Sequence, residues 1–116
     1  MIILGIDPGF ADTGYGVIKV TGREMAIIQF GTIKTKKTTR FATRLLELSS
    51  ELEKIINQYR PDVVGLERLF FCNNVKTALA VGEARGVITL TVVKAGAPLY
   101  EYTPLQVKQA LTGSGN

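Results

Sequence analysis

Histidine and tryptophan are absent from this 116-residue sequence, and cysteine occurs once, at Cys72. Without histidine the commonest general base is gone. The Ser-His-Asp and Cys-His nucleophile arrangements and most catalytic zinc sites go with it. A lone cysteine permits neither an intrachain disulfide nor a CxxC site, which fits a reducing compartment. No apolar run reaches the ~20 residues that a membrane-spanning helix needs. The opening MIILGIDPG carries neither the basic lead nor the small-residue cleavage site of a secretory signal. The expected location is cytoplasmic. Any chemistry must come from carboxylates, amines, guanidinia and hydroxyls.

What is present reads as one globular domain. At 46% apolar and 21% charged, the chain can bury a core without a disulfide or a structural metal. Fourteen basic residues against ten acidic ones leave a net charge of +4, which favours a polyanionic partner. Lys34, Lys36, Lys37, Arg40 and Arg44 crowd into one stretch, readable as a solvated loop entering a helix or as a nucleic-acid contact.

Residues 2–7 (IILGID) form a short apolar run closed by Pro8-Gly9, the pattern of a buried strand. Tyr15 to Val20 and Met25 to Thr35 read as two more strands joined by short turns, an antiparallel meander. The period then changes. Phe41, Leu45, Leu48, Leu52, Ile55 and Tyr59 recur at spacings of four and three, one stripe of a helix that Pro61 stops. Val63 to Glu67 reads as a strand buried on both faces, which favours parallel neighbours. A helix is expected from about Asn74 to Val93, a strand from Leu99 to Thr103, and a further helix from Pro104 to Leu111. The order β-β-β-α-β-α-β-α predicts an α/β fold of the ribonuclease H-like kind. Its five-stranded mixed sheet has three antiparallel strands, then βαβ units, with helices packed on it.

The ten acidic residues can be sorted by context. Glu47, Glu51 and Glu53 lie mostly off the apolar stripe of the first helix and read as solvated charges. Glu24 and Asp62 read as turn residues, and Asp12 lies in the Gly-rich loop. Glu83 and Glu101 need partners if buried. Asp7 and Glu67 differ: each ends an apolar run, in the matching contexts Leu4-Gly5-Ile6-Asp7 and Val64-Gly65-Leu66-Glu67. A carboxylate at the end of a buried strand is costly unless it is paired or bound to a cation. On parallel neighbours both acids would sit at the carboxyl ends, where open α/β sheets build sites. Such a pair suits Mg²⁺; loop capping through backbone N–H groups is the alternative.

Three other features stand out. Gly9 through Gly14-x-Gly16 reads either as a phosphate-cradling turn or as a plain hairpin. Phe70 and Phe71, just past the end of a strand, read either as wedges against unstacked bases or as loop aromatics packing under a helix. Ala78, Gly82 and Gly86 form a small-residue face at four-residue spacing, open to a neighbouring helix of the same domain or of a second subunit.

Taken together, MIILGIDPG with TGYGVI, PDVVGLERLFFCNNVKTALAVGEARGV and EYTPLQVKQALTG closely resemble the RuvC-type Holliday junction resolvases, the crossover junction endodeoxyribonucleases. The resemblance spans residues 1–116 as a single ribonuclease H-like nuclease domain. It implies a homodimer that cuts four-way DNA junctions with Mg²⁺, two ions per site in the intact protein, and a branch-migration helicase as partner. By motif, Asp7 and Glu67 match the first two metal-binding, catalytic carboxylates. Phe70 matches an aromatic that acts at the junction centre, and Lys108 a basic residue of the DNA-binding face; Phe71, Asn73 and Lys76 are placed with them. The dimer face is expected at Ala78, Gly82 and Gly86. Phe10-Ala11-Asp12 departs from the Ser and Arg common in the family, and family members continue past the last residue here with further metal-binding acids. The sequence therefore reads as an N-terminal fragment, expected to be inactive alone. Three alternatives stay open: a non-catalytic junction-binding dimer, a ribonuclease H-like nuclease acting on RNA, and an actin-like ATPase fragment. Comparing cleavage of junction, duplex and RNA separates the first two, and ATP binding tests the third.

Overall fold

The computed structural model describes residues 1–9, 12–68 and 75–102. The elements follow in the order β1 (Ile2–Asp7), β2 (Asp12–Thr21), β3 (Glu24–Lys34), α1 (Phe41–Tyr59), β4 (Val63–Glu67), α2 (Val75–Lys94) and β5 (Leu99–Tyr102). The strands form one mixed sheet in the order β3-β2-β1-β4-β5. β1, β2 and β3 pair antiparallel, whereas β4 runs parallel to both β1 and β5. This is the five-stranded mixed sheet with packed helices that the element order predicts. The helix expected at 104–111 lies outside the described residues.

Alternation of side chains along the strands splits the sheet into two unlike faces. Leu4, Ile6, Val17, Ile33, Val64 and Leu66 turn to one face and join Leu48, Leu52, Ile55 and Ile56 of α1 and Ala84, Ile88 and Val92 of α2 in a single core. Full burial of an aliphatic side chain is worth about 1.5–3 kcal/mol, so this layer dominates the stability of the fold. The α1 stripe read from the sequence supplies Leu48, Leu52 and Ile55 to it directly, with Leu45 and Tyr59 at its margin.

The expectation of a strand buried on both faces needs correction at β4. Val64 and Leu66 are fully buried, but Val63, Gly65 and Glu67 are only half-buried. The run reads as uniformly apolar because valine, glycine and leucine all count as apolar, while the second face is built on a glycine. Asp62, read as a turn residue, does more than turn the chain. Its Oδ2 accepts a hydrogen bond from the Ile2 amide at 2.7 Å, and its own amide donates to the Ile2 carbonyl at 2.8 Å. It thereby pins the start of β4 to the start of β1 and fixes the register that brings their far ends together.

Candidate active site

That register pairs Ile3 with Val63 and Ile6 with Leu66, so Asp7 and Glu67 end adjacent parallel strands side by side. Both project from the sheet face opposite α1 and α2, because Leu4 and Ile6, and Val64 and Leu66, occupy the helix-covered face. The two acids are in direct interaction. Burial, a side-chain hydrogen bond with Asp7 and the negative charge of Asp7 together hold the Glu67 carboxyl above its ordinary range. Asp7 itself is exposed and Glu67 half-buried, so the pair opens to solvent.

The matching Gly-x-acid contexts now have a structural cause. Gly16, Gly5 and Gly65 align in one row across β2, β1 and β4. Tyr102 of β5 is registered with Glu67, and its ring lies over Gly65 with its hydroxyl reaching Gly5. A Cβ placed on Gly65 would come within 2.8 Å of the Tyr102 ring, and one on Gly5 within 3.6 Å of its hydroxyl. The missing side chains make room for an aromatic wall beside the carboxylates. Half-buried there, and facing the negative charge of Glu67 and Asp7, the Tyr102 phenol is pushed above its ordinary pKa. Gly14 and Gly16 lie within β2, registered with Asp7 and Gly5, while residues 10 and 11 of the Gly-rich stretch lie outside the described residues.

Behind Glu67, on the helix side, stands a second charged group. Glu101 accepts hydrogen bonds from Arg68 Nε (3.2 Å) and Nη2 (2.7 Å) and from Arg85 Nη2 of α2 (3.0 Å). These bonds hold its carboxyl below the ordinary range, the Arg68 hydrogen bond being the largest cause. Arg85 Nη1 also donates to the main-chain carbonyl of Glu67. Glu101 is therefore committed to two guanidinia, and its side chain leaves from the face opposite Glu67. Among the described residues no group of three or more potential metal ligands forms.

The basic stretch is partly rearranged as well. Lys34, Lys36, Lys37 and Arg40 are exposed, but Arg44 turns inward. Its Nε donates to Thr35 Oγ1 at 3.0 Å, and its guanidinium lies over the Phe41 ring. On α2, Lys76 is exposed in the first turn. Gly82 and Gly86 are exposed with open space where a Cβ would go, and Ala78 is half-buried. They are flanked by Val75, Leu79, Leu90 and Val93, all exposed. Val75, Leu79, Gly82, Gly86, Leu90 and Val93 follow spacings of four and three, an unbroken stripe on one side of the helix.

Comparison with known proteins settles the lineage. The family profile described as crossover junction endodeoxyribonuclease RuvC matches residues 3–116. The chain belongs to the RuvC family. Relatives bearing that description include the RuvC of Ruminiclostridium cellulolyticum, 53% identical over 115 residues, which span 99% of this chain and 69% of that protein. The RuvC of Caldicellulosiruptor saccharolyticus is 53% identical over 116 residues, spanning 99% of this chain and 70% of that protein. Among solved structures, Thermus thermophilus RuvC in complex with Holliday junction substrate superposes with a TM-score of 0.89 at 32% identity. That match covers 97% of this chain and 72% of the other.

Of the site residues expected in this RuvC chain, the structure brings Asp7 and Glu67 together. Phe70, Phe71, Asn73 and Lys108 lie outside the described residues. Sequence reasoning missed Tyr102, Arg68 and Arg85. The available signal was the glycine two residues before each acid, which marks where another group must approach the sheet.

Proposed function

We propose that this chain forms the cutting domain of a structure-specific endonuclease that resolves four-way DNA junctions, with Asp7 and Glu67 as its cation-holding carboxylates. The observation carrying this reading is the meeting of those two acids at the carboxyl ends of adjacent parallel strands in a RuvC-family chain. The donor set fits Mg²⁺, which takes one or two carboxylates and completes its shell with waters and phosphate oxygens. Apart from burial, what acts on Glu67 is the hydrogen bond and like charge of Asp7, and a shared cation relieves that repulsion. When bound, Mg²⁺ supplies Lewis-acid polarisation of a phosphate oxygen and acidifies a water for in-line attack.

The protein's own part is placement. Asp7, in the central strand, and Glu67, at the end of the strand beside it, carry interacting carboxyls on the sheet face away from the helices. The Tyr102 ring packs over Gly65, with its hydroxyl at Gly5, and walls one side of the pair. Lys76, exposed in the first turn of α2, serves a phosphate contact that positions DNA without reading its sequence. The α2 stripe serves a homodimer, since its glycines let a second helix approach closely while its apolar residues lose water. Family membership also proposes a branch-migration helicase as a partner.

The test is Asp7→Asn in the full-length protein on a synthetic four-way junction. Loss of several kcal/mol of transition-state stabilisation corresponds to a rate drop of about 10³-fold. Junction binding, read by gel shift without Mg²⁺, should persist. Wild-type cleavage by the variant overturns the reading, as does equal wild-type cutting of junction, duplex DNA and structured RNA.

A further inference from the structure

We infer that Arg85 is a positioning residue: by bridging the Glu67 main-chain carbonyl and the Glu101 carboxylate, it sets where the Glu67 carboxylate can meet a cation. This rests on the reading of Asp7 and Glu67 as the ion-holding pair.

The argument begins with where Glu67 sits. It is the last residue of β4, and the next residue, Arg68, makes one more cross-strand bond, from its amide to the Tyr102 carbonyl at 2.7 Å. Asp7 is registered with Gly14 of β2 and Glu67 with Tyr102 of β5, while the β1–β4 pairing stops one residue earlier, at Ile6 and Leu66. Glu67, at the ladder's end, carries a carboxylate that Asp7 pushes against. The N–H side of the Glu67–Arg68 peptide is held by Tyr102, and its carbonyl side needs a donor of its own. Arg85 Nη1 holds it by donating to the Glu67 carbonyl.

Arg85 is itself held. Its Nη2 donates to Glu101 Oε1 at 3.0 Å, while the other oxygen, Oε2, is taken by Arg68. Glu101 thereby occupies the guanidinium and ties its charge to the helix side of the sheet. Neither guanidinium is among the groups acting on the Glu67 carboxyl, which lies on the opposite face of the sheet. Two arginines on one glutamate also leave a net positive charge behind the pair. A planar fork is required to satisfy a carbonyl and a carboxylate together, which a lysine's single nitrogen cannot reproduce with the same geometry. The arrangement links α2, β4 and β5 at Glu67, one of the two residues whose carboxylates must be placed.

The experiment uses the full-length protein, with Mn²⁺ binding followed by electron paramagnetic resonance, junction affinity by gel shift without metal, and cleavage against Mg²⁺ concentration. Removing a group that orients a metal ligand typically weakens metal affinity 10–100-fold. Arg85→Ala should weaken Mn²⁺ binding by about 10-fold or more and raise the Mg²⁺ needed for half-maximal cleavage in parallel. Raised Mg²⁺ should recover most of the rate, and metal-free junction affinity should not change. Arg85→Lys should fall between wild type and Arg85→Ala, and it decides the matter if the alanine variant does not fold. Adding Glu101→Gln to Arg85→Ala should weaken binding by less than the product of the two single effects, since both act through one link. Unchanged Mn²⁺ affinity in a folded Arg85 variant overturns the inference. A fall in metal-free junction affinity that accounts for the lost cleavage overturns it too, making Arg85 a phosphate contact. Asp7→Asn is the control: if it leaves Mn²⁺ binding intact, the reading of the carboxylate pair fails instead.

Discussion

At the scale of single residues, the same side chain type does opposite work on the two faces of neighbouring strands. Glu67 is raised by burial and by Asp7, while Glu101 is lowered by Arg68 and Arg85. The sign of the second shift gives a pH prediction. A carboxyl with a depressed folded-state pKa contributes stability above its unfolded value, about 4.3 for glutamate, and loses it as pH falls through the folded value. Glu101→Gln should therefore lower the melting temperature near pH 7, with the difference from wild type shrinking below about pH 4. The group is well exposed, so the cost at neutral pH should stay within about 1 kcal/mol and diminish with added salt. Thermal melts across pH check both parts. A cost that persists at pH 3 would mean Glu101 acts through packing, with its charge immaterial.

At the scale of elements, much was legible because burial here follows simple periods. The α1 stripe is a clean 3.6-residue repeat, and helix and core agree with it residue by residue from Leu48 to Ile55. The match between LGID and VGLE exposed the two strands and their terminal acids. What stayed hidden depends on partners distant in sequence. Nothing local says that Arg44 packs inward on Phe41 while its neighbours face water, or that Asp62 pairs with Ile2 sixty residues away. Glu101 reads in the sequence only as an acid that needs a partner if buried, and nothing local names Arg68 and Arg85 as those partners. The element with the clearest outward surface is α2. Gly82→Glu adds a charged side chain into open space, so the fold should tolerate it at a cost of about 1 kcal/mol or less. In the full-length protein it should convert a dimer to monomers by light scattering with little change in circular dichroism. A variant that stays dimeric would move the interface off this stripe.

At the scale of the whole molecule, all ten acidic residues fall within the described parts of the chain, and Asp7 and Glu67 make its one acid pair at a strand end. Two carboxylates offset the charge of a single Mg²⁺. A second ion at the ~4 Å spacing of two-metal catalysis would be strongly repelled without further acids. Residues 1–116 should accordingly bind about one Mg²⁺ per chain by titration calorimetry and leave a four-way junction uncut. Two bound ions, or clean Asp7-dependent cutting, would contradict that count. The sheet has a further consequence at this scale. β2 and β3, ten and eleven residues long, outrun the six-residue β1, and every residue from Thr21 to Phe30 is exposed. The outer ribbon has no layer beneath it, and the terminal amine and amide of the Met1–Val20 pair fasten only its root. Its amide protons should therefore exchange with deuterium through local opening at small free energies, while those of β1 and β4 wait for global unfolding.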